Sequence, residues 1–168
     1  MSRTYVLILL LLCAALLSGC TGHPDTKPSL DVSSIPDVSL TDSAGSFTID
    51  GVAYIPYCSA TALRFAEDYH YTIPADFAMG ELLGYYATES QYHYIISFSP
   101  ADSAEWLLVF SDDGEGSLDL SQAEEFYRAT TVTEVPAYIE DANRCYQEAI
   151  APGSYEGPYD GLTVASDQ

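Results

Sequence analysis

Tyr92-His93-Tyr94-Ile95-Ile96-Ser97-Phe98 and, after a Ser99-Pro100-Ala101-Asp102 break, Trp106-Leu107-Leu108-Val109-Phe110 decide the fold class of this chain. In the first run Tyr92, Tyr94, Ile96 and Phe98 alternate with their neighbours, so they share one face of an extended strand. The second run is apolar on both faces, as expected of a strand in the middle of a sheet. Upstream, Glu81-Leu82-Leu83-Gly84-Tyr85-Tyr86-Ala87 reads as a third strand, and Asp112-Asp113-Gly114-Glu115-Gly116 is a turn. Connections this short join antiparallel neighbours, because a parallel pair requires a longer crossover.

Working outward, Phe47-Thr48-Ile49 and Val52-Ala53-Tyr54-Ile55 flank Asp50-Gly51, the residue pair that suits a two-residue type I′ hairpin. Pro56 is expected to end that ladder or to mark an edge. Residues 59–68 fit either a short helix or irregular chain. Downstream, Ser121-Gln122-Ala123-Glu124 has the form of a capping box, with Glu124 and Glu125 at the positive helix end and Arg128 at the negative one. This predicts a first C-terminal helix. Pro136 opens a second, with Tyr138, Ala142, Cys145, Tyr146 and Ala149 as its apolar stripe and Pro152-Gly153 as its stop. Leu162-Thr163-Val164 offers a short late strand. The expected fold class is α+β: an antiparallel meander of four to five strands with two C-terminal helices packed on one face.

Composition limits the partners. The 168 residues hold 25 acidic and 5 basic side chains, a formal charge of −20, which excludes a nucleic-acid partner because phosphate binding needs clustered Lys and Arg. Apolar residues make up 48% and aromatics 12%, too many for a disordered acidic chain.

Arg3 is the only charge ahead of thirteen apolar or aromatic residues, Tyr5 to Leu17. That run is shorter than the roughly 20 residues a membrane-spanning helix requires, and it has the layout of a secretory signal. The following Leu17-Ser18-Gly19-Cys20 resembles the lipobox of bacterial lipoproteins. The resemblance implies cleavage before Cys20, a thioether diacylglycerol on that residue, and attachment to the bilayer through its acyl chains. The implied location is the extracytoplasmic face of the cell membrane. Loss of Arg3 with residues 1–19 leaves the exported part more acidic still, so it should be repelled by anionic headgroups.

Residues 20–45 are rich in Ser, Thr, Asp and Pro, lack aromatics and read as the lipidated cysteine and a flexible tether of about 25–30 Å reach. Val38 and Leu40 are the residues of that stretch able to dock as an extra edge strand. Residues 46–151 form the globular domain, and residues 152–168 a Gly/Pro-rich tail.

With Cys13 in the signal and Cys20 lipidated, Cys58 and Cys145 remain as a candidate disulfide pair; two reduced, buried cysteines are the alternative. Closing so long a loop contributes roughly 4–5 kcal/mol on a chain-entropy view. For catalysis the sequence offers little. There is no His-Glu-x-x-His, Cys-x-x-Cys or Gly-x-Ser-x-Gly. His70 and His93, each between tyrosines, would bind zinc with Asp68 only if their segments met, and solvated imidazoles are the simpler reading. Asp113 to Glu124 follows an EF-hand register, but Leu118 stands where that loop requires glycine. No cofactor, no metal and no enzyme activity are expected.

The 14 tyrosines are the most distinctive feature. Tyr85, Tyr86, Tyr92 and Tyr94 fall on adjacent strands and form the candidate recognition surface, since tyrosine is enriched at binding sites. The functional expectation is a binding or scaffolding module at the cell envelope for a protein, peptide or glycan. The alternatives are a small envelope enzyme or an acidic inhibitor of a basic partner.

Overall fold

In the computed structural model, residues 27–42, 44–158 and 161–165 are described. The Asp50-Gly51 hairpin forms as its residues require: both adopt positive φ, 49° and 82°, and join β1 (Phe47–Ile49) to β2 (Val52–Ser59). Pro56 does not end β2. It lies beyond the last residue paired with β1 and beside a bulge in the pairing with the other neighbour, where its missing N–H is tolerated. A single short helix, α1 (Thr61–Arg64), follows, and then β3 (Ala78–Ala87), β4 (Tyr92–Ser99) and β5 (Trp106–Ser111).

The next element corrects the sequence reading. Residues 123–129 form a strand, β6 (Ala123–Ala129), not a helix. A capping box is present, but two residues earlier. Asp119 caps a single 3-10 turn, Leu120–Gln122, and the Gln122 side chain accepts the Asp119 N–H. The strand then fills the slot between β2 and β5, where partners on both sides satisfy its backbone. Ladder hydrogen bonding and burial outweigh the helix propensity of Ala, Glu and Arg. The sheet thus has six antiparallel strands rather than four or five, in the order β1-β2-β6-β5-β4-β3. The second expected helix is present as α2 (Ala137–Ile150), and Thr163–Val164 (β8) pairs in parallel with Glu134–Val135 (β7).

Residues 36–41 connect the two open edges of this sheet. Val38 N–H donates to the Tyr85 carbonyl (2.7 Å) and Tyr85 N–H to Pro36 (3.1 Å), while Thr41 N–H donates to Ser46 (2.7 Å) beside β1. Gly84 permits the approach: a Cβ there would lie 2.7 Å from Val38 Cγ2. The curled sheet therefore encloses an inner core of Val38, Phe47, Tyr54, Tyr86, Ile95, Leu107, Val109 and Tyr127. Its outer face carries a second core, with Tyr94, Ile96, Trp106, Leu108, Phe110 and Phe126 under Leu63 of α1 and Ile139 and Ala142 of α2.

The boundary expected at residues 45/46 consequently moves. Ser29 donates its N–H to Asp112 (2.8 Å) and its hydroxyl to the same carboxylate; Leu30 N–H donates to the Tyr94 hydroxyl (3.2 Å). Leu30 and Val32 pack on the outer core and Val38 is buried in the inner one. From Ser29 onward the expected tether is part of the folded unit. Cys20 and the signal segment lie outside the described residues.

Candidate functional site

The four tyrosines singled out above do not make one exposed surface. Successive strand residues point to opposite faces, so Tyr86 turns inward, where it stacks on His93 with ring centroids 4.7 Å apart. Tyr85, Tyr92 and Tyr94 lie on the outer side; Tyr92 and Tyr94 are buried and Tyr85 is half-buried. Tyr94 donates to Asp112 (2.7 Å) beneath Ser29 and Leu30. At Tyr94 the candidate surface is covered by the chain's own N-terminal segment.

His93 and several of the acids have internal assignments, whereas His70 is exposed. His93 Nδ1 meets Glu124 Oε2 at 3.0 Å, and that hydrogen bond holds Glu124 below the usual carboxylate range despite burial. Glu125 is displaced upward, first by burial and then by Glu124. Asp113 accepts the Glu115 N–H, and Asp119 caps the 3-10 turn. Among the described residues no three His, Cys, Asp or Glu side chains converge as metal ligands. Cys58 and Cys145 both border the outer core and are thiols in the structure, the reduced alternative of the two readings. Cys58 is sealed inside, its thiol pushed well up by burial, while Cys145 sits on the half-buried rim.

A different place gathers polar groups. After α2, Ala151 N–H caps the Gln147 carbonyl and Ser154 donates back to Ala151 through both its N–H and its hydroxyl (2.6 Å). This reverses the chain, so the segment that follows returns beside α2 to reach β8, next to the start of the same helix. The groove between them has a volume of about 620 Å³ and is lined by Asn143 and Gln147 from α2 and Ser154, Tyr155, Glu156 and Pro158 from the returning segment. Glu140, Asn143 and Gln147 recur at i, i+3 and i+7 on one helix face, although Glu140 lies outside the groove lining and against Tyr57.

Several of these groups are buried with incomplete hydrogen bonding. Asn143 is 3% exposed and Glu140 7%. Among the described residues Asn143 Oδ1, Glu140 Oε1 and the Tyr155 hydroxyl have no partner, although Glu140 Oε2 accepts the Tyr57 hydroxyl at 2.6 Å. Burial raises the Glu140 carboxyl above its ordinary value, with Tyr57 opposing the rise. Each such buried, unpaired polar atom disfavours the folded state by about 1–3 kcal/mol.

No family model, no curated protein and no solved structure matches this chain.

The groove residues escaped the sequence reading. Their one signal was the polar i, i+3, i+7 row opposite the apolar stripe of the helix, and nothing in that row showed that Asn143 would be buried.

Proposed function

We propose that this chain is an exported lipoprotein, held on the extracytoplasmic face of a bacterial cell membrane by acyl chains on Cys20. Its folded part acts there as a binding module whose ligand enters the groove between α2 and the returning C-terminal segment. The observation that carries the anchor is the position of Leu17-Ser18-Gly19-Cys20, directly behind a short apolar run with a basic start. Two or three acyl chains, at about 0.8 kcal/mol per buried methylene, hold a water-soluble body firmly without any protein span. Binding in the groove is supported by its unpartnered buried acceptors, which a ligand would satisfy.

The fold gives this arrangement a short leash. Ser29 is fixed to Asp112, and nine residues of chain from Cys20 cover at most roughly 30 Å whatever their conformation. The binding module is thereby confined close to the bilayer. Metabolic labelling with radioactive palmitate checks the anchor: label is expected on the wild-type protein and absent from Cys20→Ala. Equal label on both refutes it.

A further inference from the structure

We propose that the groove between α2 and the returning segment takes a guanidinium group, as carried by an arginine side chain of a peptide or protein. The inference rests on the binding role assigned to the groove above and names the ligand class. Its first support is the chemistry of the unpartnered atoms. Asn143 Oδ1 is an acceptor, and the Tyr155 hydroxyl can accept as well as donate. A ligand that completes them must bring N–H donors.

The second support is charge. Among the described residues, the side chains lining the groove include the carboxylate of Glu156 and no basic group, on a molecule of formal charge −20. The nearest described cation on α2, Arg144, is engaged with Asp141 (3.0 Å) and Glu148 (3.4 Å). A positively charged ligand therefore meets acceptors and negative potential together, which both orients it and speeds its arrival.

The third is shape. A groove of about 620 Å³ exceeds the needs of an ion and suits a side chain with part of its backbone. Its acceptors come from two elements, α2 on one wall and Tyr155 and Glu156 on the other. A planar cation with five N–H donors in a fixed fork reaches both walls at once, as a compact ammonium does less well.

The full-length chain in detergent micelles is titrated with N-acetyl-arginine methylamide and, separately, with its neutral isostere N-acetyl-citrulline methylamide. The side-chain amide signals of Asn143 and Gln147 are followed by NMR. The arginine probe is expected to shift both signals saturably, with the citrulline probe at least about tenfold weaker. Glu156→Gln, at an exposed position, should weaken the arginine probe and leave the citrulline probe unchanged. Asn143→Leu should abolish binding while keeping or raising the melting temperature, because it removes a buried amide oxygen with no partner. Equal binding of the two probes overturns the guanidinium assignment and leaves the groove a binding site. Silence of both signals with both probes overturns the assignment and the groove's binding role together. A fall in melting temperature for Asn143→Leu with binding intact marks the amide as structural and overturns the proposal.

Discussion

Glu140 illustrates how much one side chain can carry at the residue scale. Its Oε2 accepts from Tyr57, whose ring in turn meets Trp106 edge-on at 5.2 Å, and burial lifts its carboxyl above the ordinary range. A carboxyl raised in the folded state binds its proton more tightly there than in the unfolded chain. Its stabilising contribution is complete below the unfolded value and is lost as pH rises through the folded one. Glu140→Gln keeps an acceptor for Tyr57 but removes the charge, so at pH 7 the variant should be more stable by about 1 kcal/mol. The advantage should shrink toward zero as the pH falls below the ordinary glutamate range, where the carboxyl is protonated in the folded and unfolded chain alike. Thermal melts of both proteins across that range read the effect, and a variant less stable than wild type at pH 7 contradicts it. Glu125 shifts in the same sense; Glu124, lowered by His93, works in the opposite one.

At the scale of elements, the segment 36–41 is the clearest gain from the structure. Its composition is that of a linker, yet it bridges β3 and β1 and buries Val38. Val38→Ala should destabilise the fold by about 1–2 kcal/mol. Gly84→Ala should also destabilise, because the added Cβ meets Val38 Cγ2. The double variant should be less damaged than the sum of the two, since Val38→Ala removes the clashing methyl. Strict additivity in denaturant unfolding would show that the segment does not seat against β3. The strand β6 teaches the complementary lesson. Ala123-Glu124-Glu125-Phe126-Tyr127-Arg128-Ala129 is good helical material behind a genuine capping motif, and only the vacancy between β2 and β5 makes it a strand. The hairpin at Asp50-Gly51, by contrast, was legible because its positive φ values are a local demand.

For the whole molecule, charge dominates. With 25 acids against 5 bases, the folded state concentrates negative charge that the unfolded chain spreads out. Raising sodium chloride from about 10 mM to about 150 mM shortens the screening length from roughly 30 Å to 8 Å, and the melting temperature should rise by several degrees. A melting temperature that falls over that range would mean that attractive pairs outweigh the overall repulsion. Among the described residues such pairs are few, with Arg144 bonded to Asp141 and Glu148 on the exposed side of α2.

By itself the sequence determined what local chemistry can determine. It set the hairpin, the alternating strand around Tyr94 and the wholly apolar one around Leu108, the helix behind Pro136, the acidic character, and the layout ending at Cys20 from which the anchor is proposed. Tertiary structure decided everything that depends on which surfaces meet: the sixth strand, the closure of the sheet by residues 36–41, the burial of Tyr86, Tyr92 and Tyr94, and the polar groove beside α2. The physical reason is the same in each case. Periodicity and turn chemistry act over a few residues, whereas burial and hydrogen-bond completion are set by neighbours far away in the chain.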